Sequence, residues 1–529
     1  MKRRKFIQTA SLAGLGVAVS GCNKEFTAPI SSGANIYKKA IVIGSGFGGS
    51  VAALRLCEAG IETTLLERGM AWDTSDPFAD TFSDALGSDN RSTWLSRSSA
   101  FPFGPPITFS KKYTGVLEKV RMPGIDIITP AAMGGGSITF GGILATPLRE
   151  AFISRFPAAV SYDELTGTYF PRVLNELEAS VMPEDIFAHP SFHHNRVFKS
   201  HNDNAGITTV DITTNYNWEI LQQEINGSIP ASSIIGEAIF GCNSGAKNSL
   251  DKNYLQKAKD TGFLEIKTLH IVKEISRNAE GKYLVSAAEI NNNGITEKLW
   301  NYTCDYLFLA AGSVGTTKLM VKAKAKNRLP LLNEFTGTGW GNNGMSMLLR
   351  GNIPGPTGAK QGFPPRYGAL HPAGSEELFF VEHFPFSLGG NIDLKILGYN
   401  MMGLPSVRGT WLYDAAEDDA RLSYPLPRDS DQRLTDEAAI SFCNRLNNAN
   451  GGELSSFLGN IPINTVTYHP LGGMVIDKAT DLFGRVKNYD NLYVMDGSLL
   501  PGTSGCCNPA LTIAGIAERN MEDILLKDF

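Results

Sequence analysis

Ala40 to Ile43 is an unbroken apolar run, the pattern of a strand buried on both faces of a parallel sheet. Ser50 to Ala59 carries helical spacing, Gly60 stops it, and Ile61 to Leu66 predicts a second strand. Leu264 to Ile275 and Tyr283 to Ile290 alternate like strands, with Asn291 to Gly294 as a hairpin turn. Tyr306 to Ala310 is another buried strand, running into a glycine turn and a helix. About 260 residues separate it from the first, so a large insertion interrupts the sheet. Helical spacing recurs over Tyr162 to Ser180, Ser249 to Ala258, Asp431 to Asn448 and Leu511 to Leu526. Leu378 to Val381 and Ile392 to Leu397 predict strands, Thr410 to Tyr413 and Ala420 to Ser423 a hairpin, and Leu492 to Met495 a last strand. Ala71 to Ile128 and Gly351 to Gly374 read as loops, with a short helix around Ser92 to Ser96.

Between the first strand and the first helix stand Gly44, Gly46 and Gly49, spaced G-x-G-x-x-G. Gly44 permits the tight turn, Gly46 lets backbone approach a pyrophosphate, and Gly49 lets the helix pack on the strand. Glu67 ends the second strand 18 residues after Gly49, where a carboxylate can accept hydrogen bonds from ribose hydroxyls. A dinucleotide with a free 2′-hydroxyl, FAD or NAD, fits this unit, and NADP fits it poorly.

Composition changes the picture little: 42% hydrophobic and 19% charged residues describe an ordinary globule, too long for one core. The ends change it more. Lys2, Arg3, Arg4 and Lys5 precede a short apolar run from Leu12 to Val19, an export signal of twin-arginine type. Val19 to Cys22 resembles a lipobox, with Cys22 acylated after cleavage and a polar tether following. Without residues 1–21 the chain holds 44 basic against 53 acidic residues, which argues against nucleic acid as a partner. The expected location is the periplasm or surface of a bacterium. Seven cysteines lack metal spacing, so no metal is expected, and the adjacent Cys506 and Cys507 are read as reduced thiols. His189, His193, His194 and His201 are read as solvated loop residues. Met133 to Ser137 and Gly141–Gly142 are glycine clusters whose apolar neighbours imply backbone packed against something flat. Glu382 stands among Phe379, Phe380, Phe384 and Phe386, either at an exposed strand end or buried with a raised pKa. His469 is isolated before Pro470 and a glycine pair, and Asn508-Pro509 precedes the last helix.

The glycine turn, Gly134 to Ser137, Ala310 to Ser313, Tyr468 to Gly473, Tyr493 to Gly502 and Asn508 to Asn520 resemble, in that order, the glucose–methanol–choline (GMC) oxidoreductases. The bacterial cholesterol oxidases with non-covalent FAD are the most similar subgroup, with segments 250–255, 336–344 and 413–422 pointing the same way. The resemblance runs from about Lys38 to Asp523. It implies an α/β fold: a Rossmann-type FAD-binding domain (37–72, 247–340 and 484–529) and a substrate domain on a mostly antiparallel sheet with helices (73–246 and 341–483). Residues 1–21 are the signal and 22–36 the tether, and 131–146 meets the flavin. It also implies that Gly44, Gly46, Phe47, Gly48 and Gly49 meet the pyrophosphate and Glu67 the ribose. Val272 meets the adenine end, and Gly136, Gly141, Asp496 and Gly497 surround the flavin. His469 and Asn508 hold the substrate hydroxyl, His469 taking its proton, and Glu382 is the base that would move a Δ5 double bond into conjugation. The implied substrate is a sterol-like apolar alcohol, and the acceptor is O2 or a substitute for it. The chain departs from the subgroup at Phe140, Ile143 and Ala510, which stand where those oxidases carry Asn, Met and Phe. All three surround the flavin, so a dehydrogenase using a quinone or carrier protein is the alternative.

Overall fold

A computed structural model describes residues 32–85, 87–100, 107–370, 378–386, 391–426, 429–455 and 465–529. The signal, Cys22 and most of the tether lie outside the described residues.

The apolar run around Ala40 is the centre of the larger sheet. Ser32–Ile43 pairs in parallel with Thr63–Leu66 on one side and Thr296–Leu309 on the other. Leu264–Lys267 and Leu492–Val494 extend the parallel set outwards. Tyr283–Ile290 and His270–Arg277 add an antiparallel meander to the first half of Thr296–Leu309. This is the interrupted dinucleotide sheet that the apolar runs predict, and helices Phe47–Glu58, Gly312–Ala325 and Pro509–Asp528 cover it. The strand begins at Ser32, so the last residues assigned to the tether are already paired with Leu299 to Tyr302.

The second sheet is antiparallel, in the order Glu453–Leu454, Met345–Gly351, Leu397–Met402, Phe380–Phe384, Tyr367–Leu370, Thr209–Asp211. Helices His193–Asn204 and Gln432–Asn450 bury one face through Leu348, Val381, Tyr399 and Phe442. Because side chains alternate along a strand, Phe380, Glu382 and Phe384 share the other face with Asn400 and Met402.

Four expectations need correction. Leu264 to Ile275 is two strands, because Leu269 turns the chain with φ +58° and sends His270 to the opposite edge. The strand expected at Ile392 to Leu397 lies at Leu397–Met402; Ile392 is exposed, and Asp393 instead accepts hydrogen bonds from Thr357 and Gly358. Both segments read as loop contain strands: Leu117–Met122 and the start of Ile125–Pro130 before Ile128, and Tyr367–Leu370 before Gly374. The histidine segment is a helix from His193, and His194 and His201 are buried: His194 hydrogen-bonds His383, and His201 meets Arg350 at 3.1 Å.

Candidate active site

Three of the five residues from Gly44 to Gly49 expected at a pyrophosphate are glycines held by protein. Gly44 has φ +100°, and a Cβ there would strike the Ala310 carbonyl. A Cβ on Gly48 would strike the Met495 carbonyl, and one on Gly49 the Gly44 carbonyl. Gly46 differs: a Cβ would meet nothing within 4 Å. It caps helix Phe47–Glu58, which has no acidic residue in its first turn. Open space before a helix N-terminus with unclaimed amides suits an anion such as a diphosphate.

Glu67 ends Thr63–Leu66 and is buried. One carboxylate oxygen accepts from Ser45 N and Oγ (3.0 and 2.6 Å), the other from Gly69 N (2.8 Å). Ser45 Oγ accepts in turn from Gly134 N at 3.0 Å. Glu67 thus ties the first glycine turn to the second and keeps one lone pair on the oxygen bound by Gly69 for a ligand hydroxyl. His270 N donates to the Glu67 carbonyl (2.9 Å), which sets Val272 two residues along the strand from this end of the cleft. Val272 adjoins a bulge, since Val272 pairs with Ala287 and Glu274 with Ser286.

The second glycine loop lies directly on the first: a Cβ on Gly135 would come within 2.5 Å of Gly46 Cα. Gly136 is open, its nearest neighbours Phe47 and Pro130 at 4.0 Å from such a Cβ. Gly141 is bounded by Phe363 and Ile143 (3.3 and 3.6 Å), and Gly497 by Leu471 and Ile513 (3.1 and 3.2 Å). Phe47 packs edge-on against Phe140 at 5.5 Å. The Asp496 carboxylate has no capacity left for a ligand. It accepts from Gly312 N, Thr316 Oγ1, Ser498 N and Ser498 Oγ, so the side chain fixes helix Gly312–Ala325 to the last strand. Lys247, which sequence reasoning missed, is fully buried and donates to the Ile138 and Ala238 carbonyls (2.9 and 2.8 Å). Burial lowers it to about 7, and it pins the loop carrying Gly136. Its place three residues before segment 250–255 was the available signal.

His469, Asn508 and Glu382 come together from three distant stretches. Glu382 is 4% exposed, which decides for burial over a strand end in water. Desolvation pushes it up to about 7, against the opposing effects of Asn400 and Asn508. Asn400 Nδ2 donates to Glu382 Oε1 at 2.8 Å, while Oε2 has no hydrogen-bond partner. Asn508 caps the last helix without using its side chain there, and its Oδ1 is buried and unpartnered. The Tyr468 ring packs edge-on against His469 at 4.9 Å, and its hydroxyl reaches Met347 on the same sheet face.

Burial drops His469 to about 3, so it is neutral. Its Nδ1 faces Asn343 Nδ2 at 3.5 Å. The orientation of Asn343 is fixed, because Nδ2 also donates to the Cys507 carbonyl (2.8 Å) and Oδ1 accepts from Ser504 N and Oγ (2.9 and 3.0 Å). A donor facing Nδ1 selects the tautomer with its proton on Nε2. In that tautomer His469 presents a donor, which differs from the expectation that it takes the substrate proton, while Glu382 Oε2 is an unpartnered acceptor. Asn343 and Asn400 were both missed. The first sits inside segment 336–344, whereas nothing in the sequence singles out the second. A Cβ on Gly497 would lie 3.5 Å from the Pro470 carbonyl, next to His469, so the cluster and the dinucleotide cleft share a wall.

The open face of Gly46, the helix N-terminus, the remaining lone pair on Glu67 and the open face of Gly136 fit a dinucleotide laid across the end of the sheet. A redox dinucleotide beside a donor–acceptor pair for one hydroxyl is the equipment of an oxidoreductase acting on alcohols. Residues 425–517 match the family model described as GMC oxidoreductase. The cholesterol oxidase of Mycobacterium tuberculosis (strain ATCC 25618 / H37Rv) is 24% identical over 555 aligned positions, covering 90% of this chain and 89% of that protein. The cholesterol oxidase of Acinetobacter baumannii is 25% identical, covering 92% and 94%. The fold is also that of pyridoxine 4-oxidase from Mesorbium loti, at a TM-score of 0.61 and 13% identity, covering 92% of this chain and 99% of that one.

Proposed function

We propose that this protein uses FAD to oxidise the secondary hydroxyl of a flat, mainly apolar cyclic alcohol, with a 3β-hydroxysteroid as the model substrate. The observation that carries the reading is the buried polar cluster of Glu382, with Oε2 unpartnered, Asn508 beside it, and the neutral His469 whose Nδ1 faces Asn343. Gly46, the amides after it, Glu67 and Gly136 would hold the dinucleotide. Bound FAD supplies a hydride acceptor for the carbinol carbon. His469 donates to the substrate oxygen and orients it, Glu382 accepts the hydroxyl proton, and Asn508 braces Glu382 from the helix cap. The apolar face around Phe380, Met402 and Ile143 excludes water from this step. On a Δ5-3-ketone the same carboxylate, once ionised again, is the base for shifting the double bond.

The decisive experiment is anaerobic addition of cholesterol and simpler cyclic alcohols to the purified flavoprotein. Bleaching of the visible spectrum is expected, and a spectrum unchanged by every alcohol overturns the reading.

A second reading concerns the acceptor. Phe140 against Phe47, and Ile143 inside an apolar cluster, line the region with packed hydrocarbon where the resemblance expects Asn and Met. This favours delivery of electrons to a quinone or carrier over O2. We further propose export and a lipid anchor on Cys22; Cys22→Ala should release the protein from the membrane fraction.

A further inference from the structure

The site-facing side of the second sheet carries one feature that oxidation of a single hydroxyl does not use. Asn400 is fully buried and stands directly opposite Glu382 on the neighbouring strand. Its Nδ2 is engaged by Glu382, but its Oδ1 has no donor. Glycines stand beside this pair on the neighbouring strands, and aromatic rings fill the space above them. A Cβ on Gly368 would strike the ring of Phe380, and one on Gly398 would lie 2.7 Å from that of Phe384. The two rings therefore fold flat over glycines on either side of the Glu382–Asn400 pair. An amide in such apolar surroundings is costly, since an unpaired buried acceptor bears its full desolvation penalty.

The acceptors outnumber what a monohydric alcohol brings. Glu382 Oε2, Asn400 Oδ1 and Asn508 Oδ1 are all buried and unpartnered. One carbinol O–H satisfies one of them, the carboxylate. After proton transfer the resulting acid can donate to one carboxamide oxygen, and the other remains without a donor.

We propose that Asn400 is a specificity-determining residue: with Glu382 it forms a second polar subsite that takes another hydroxyl of the substrate, one or two carbons from the carbinol being oxidised. The short separation follows from cross-strand geometry, which places opposed Cβ atoms about 5 Å apart. The substrate class is then a cyclic 1,2- or 1,3-diol on a mainly apolar frame. This deepens the alcohol-oxidation reading and rests on it.

The test compares pairs differing by one hydroxyl: cyclohexanol against 1,2- and 1,3-cyclohexanediol, and cholesterol against 4β-hydroxycholesterol. Each is assayed by anaerobic flavin bleaching and by calorimetric binding to the holoenzyme. Wild type is expected to favour a diol at least about 10-fold, the worth of one buried hydrogen bond. Asn400→Leu, similar in size, should abolish that preference through KM. It should also move the pH midpoint of flavin reduction upwards, because Glu382 loses a donor. Tyr468 and Asn508, which act on Glu382 from other elements, and His469 next to Tyr468 carry no charge in this range, so the shift belongs to Glu382. A wild type with no diol preference in either assay overturns the proposal, whether or not the variant folds. So does an Asn400→Leu holoenzyme with preference and pH midpoint unchanged. Diol-selective binding without bleaching by any alcohol supports the subsite and counts against the oxidoreductase reading alone.

Discussion

His469 loses its proton affinity to burial, down to about 3, while the same burial lifts Glu382 to about 7. The charged form is penalised in both, and the result is a neutral donor beside an acid that titrates near neutrality. His469→Ala should slow anaerobic flavin reduction by about 10²–10⁴ and keep the yellow protein. His469→Gln, which still offers an N–H, should recover part of that rate; Gln as slow as Ala would return the base role to the imidazole. Flavin reduction should rise with pH through about 7 as Glu382 ionises, and His469 should contribute no limb between pH 5 and 9. Glu382→Gln should flatten the profile in stopped-flow measurements. The same shift bears on stability. With a folded pKa of about 7 against an ordinary 4.5, the native state binds the extra proton between those values, so stability falls as pH rises through them. Glu382→Gln should match wild type at pH 5 and exceed it at pH 8 by about 2–4 kcal/mol, read from urea unfolding.

At the scale of elements, the glycine turn separates packing from binding. Gly44, Gly48 and Gly49 are filled by backbone, so larger residues there disturb the fold, whereas Gly46 faces space. Gly46→Val should fold with near-native circular dichroism yet lose most of its flavin; full flavin content would remove the diphosphate from this turn. The elements legible in the sequence are those whose signal is local. Ala40–Ile43, the turn and Glu67 announce themselves through apolar runs and spacing. Glu382 and His469 became legible only through family likeness, because their meeting depends on strands and loops far apart in the chain. The failures have the same cause. The apolar alternation from Leu264 to Ile275 continues through a reversal at Leu269 that leaves no Gly or Pro behind. The polar composition of His193–Asn204 hides a helix whose His194 and His201 are buried by a sheet formed 150 residues and more downstream. Asn400 looks like any strand residue until its partner across the ladder is known.

At the scale of the whole molecule, two sheets meet at one wall, and the proposed choice of electron acceptor belongs to that wall. Phe140 packs on Phe47 there, and Ile143 sits in a separate apolar cluster with Ile212, Phe380 and Met402. Turnover in air should yield peroxide slowly, and an artificial quinone or dye should speed it severalfold in the same steady-state assay. Rapid stoichiometric peroxide would assign the protein to the oxidases.

The central sheet has a consequence in time as well as in space. Gly44 emerges early in synthesis, but Leu492–Val494, which extends the parallel set, and Asn508, which completes the polar cluster, follow about 450 residues later. At ribosomal speeds of about 5–20 residues per second, the half-built cleft waits roughly 20–90 s for its closing strand. Flavin capture is expected to wait for that strand although Gly46, Glu67 and Gly136 are made early, and a nascent chain stalled before Leu492 should leave added FAD fluorescent where the released protein quenches it.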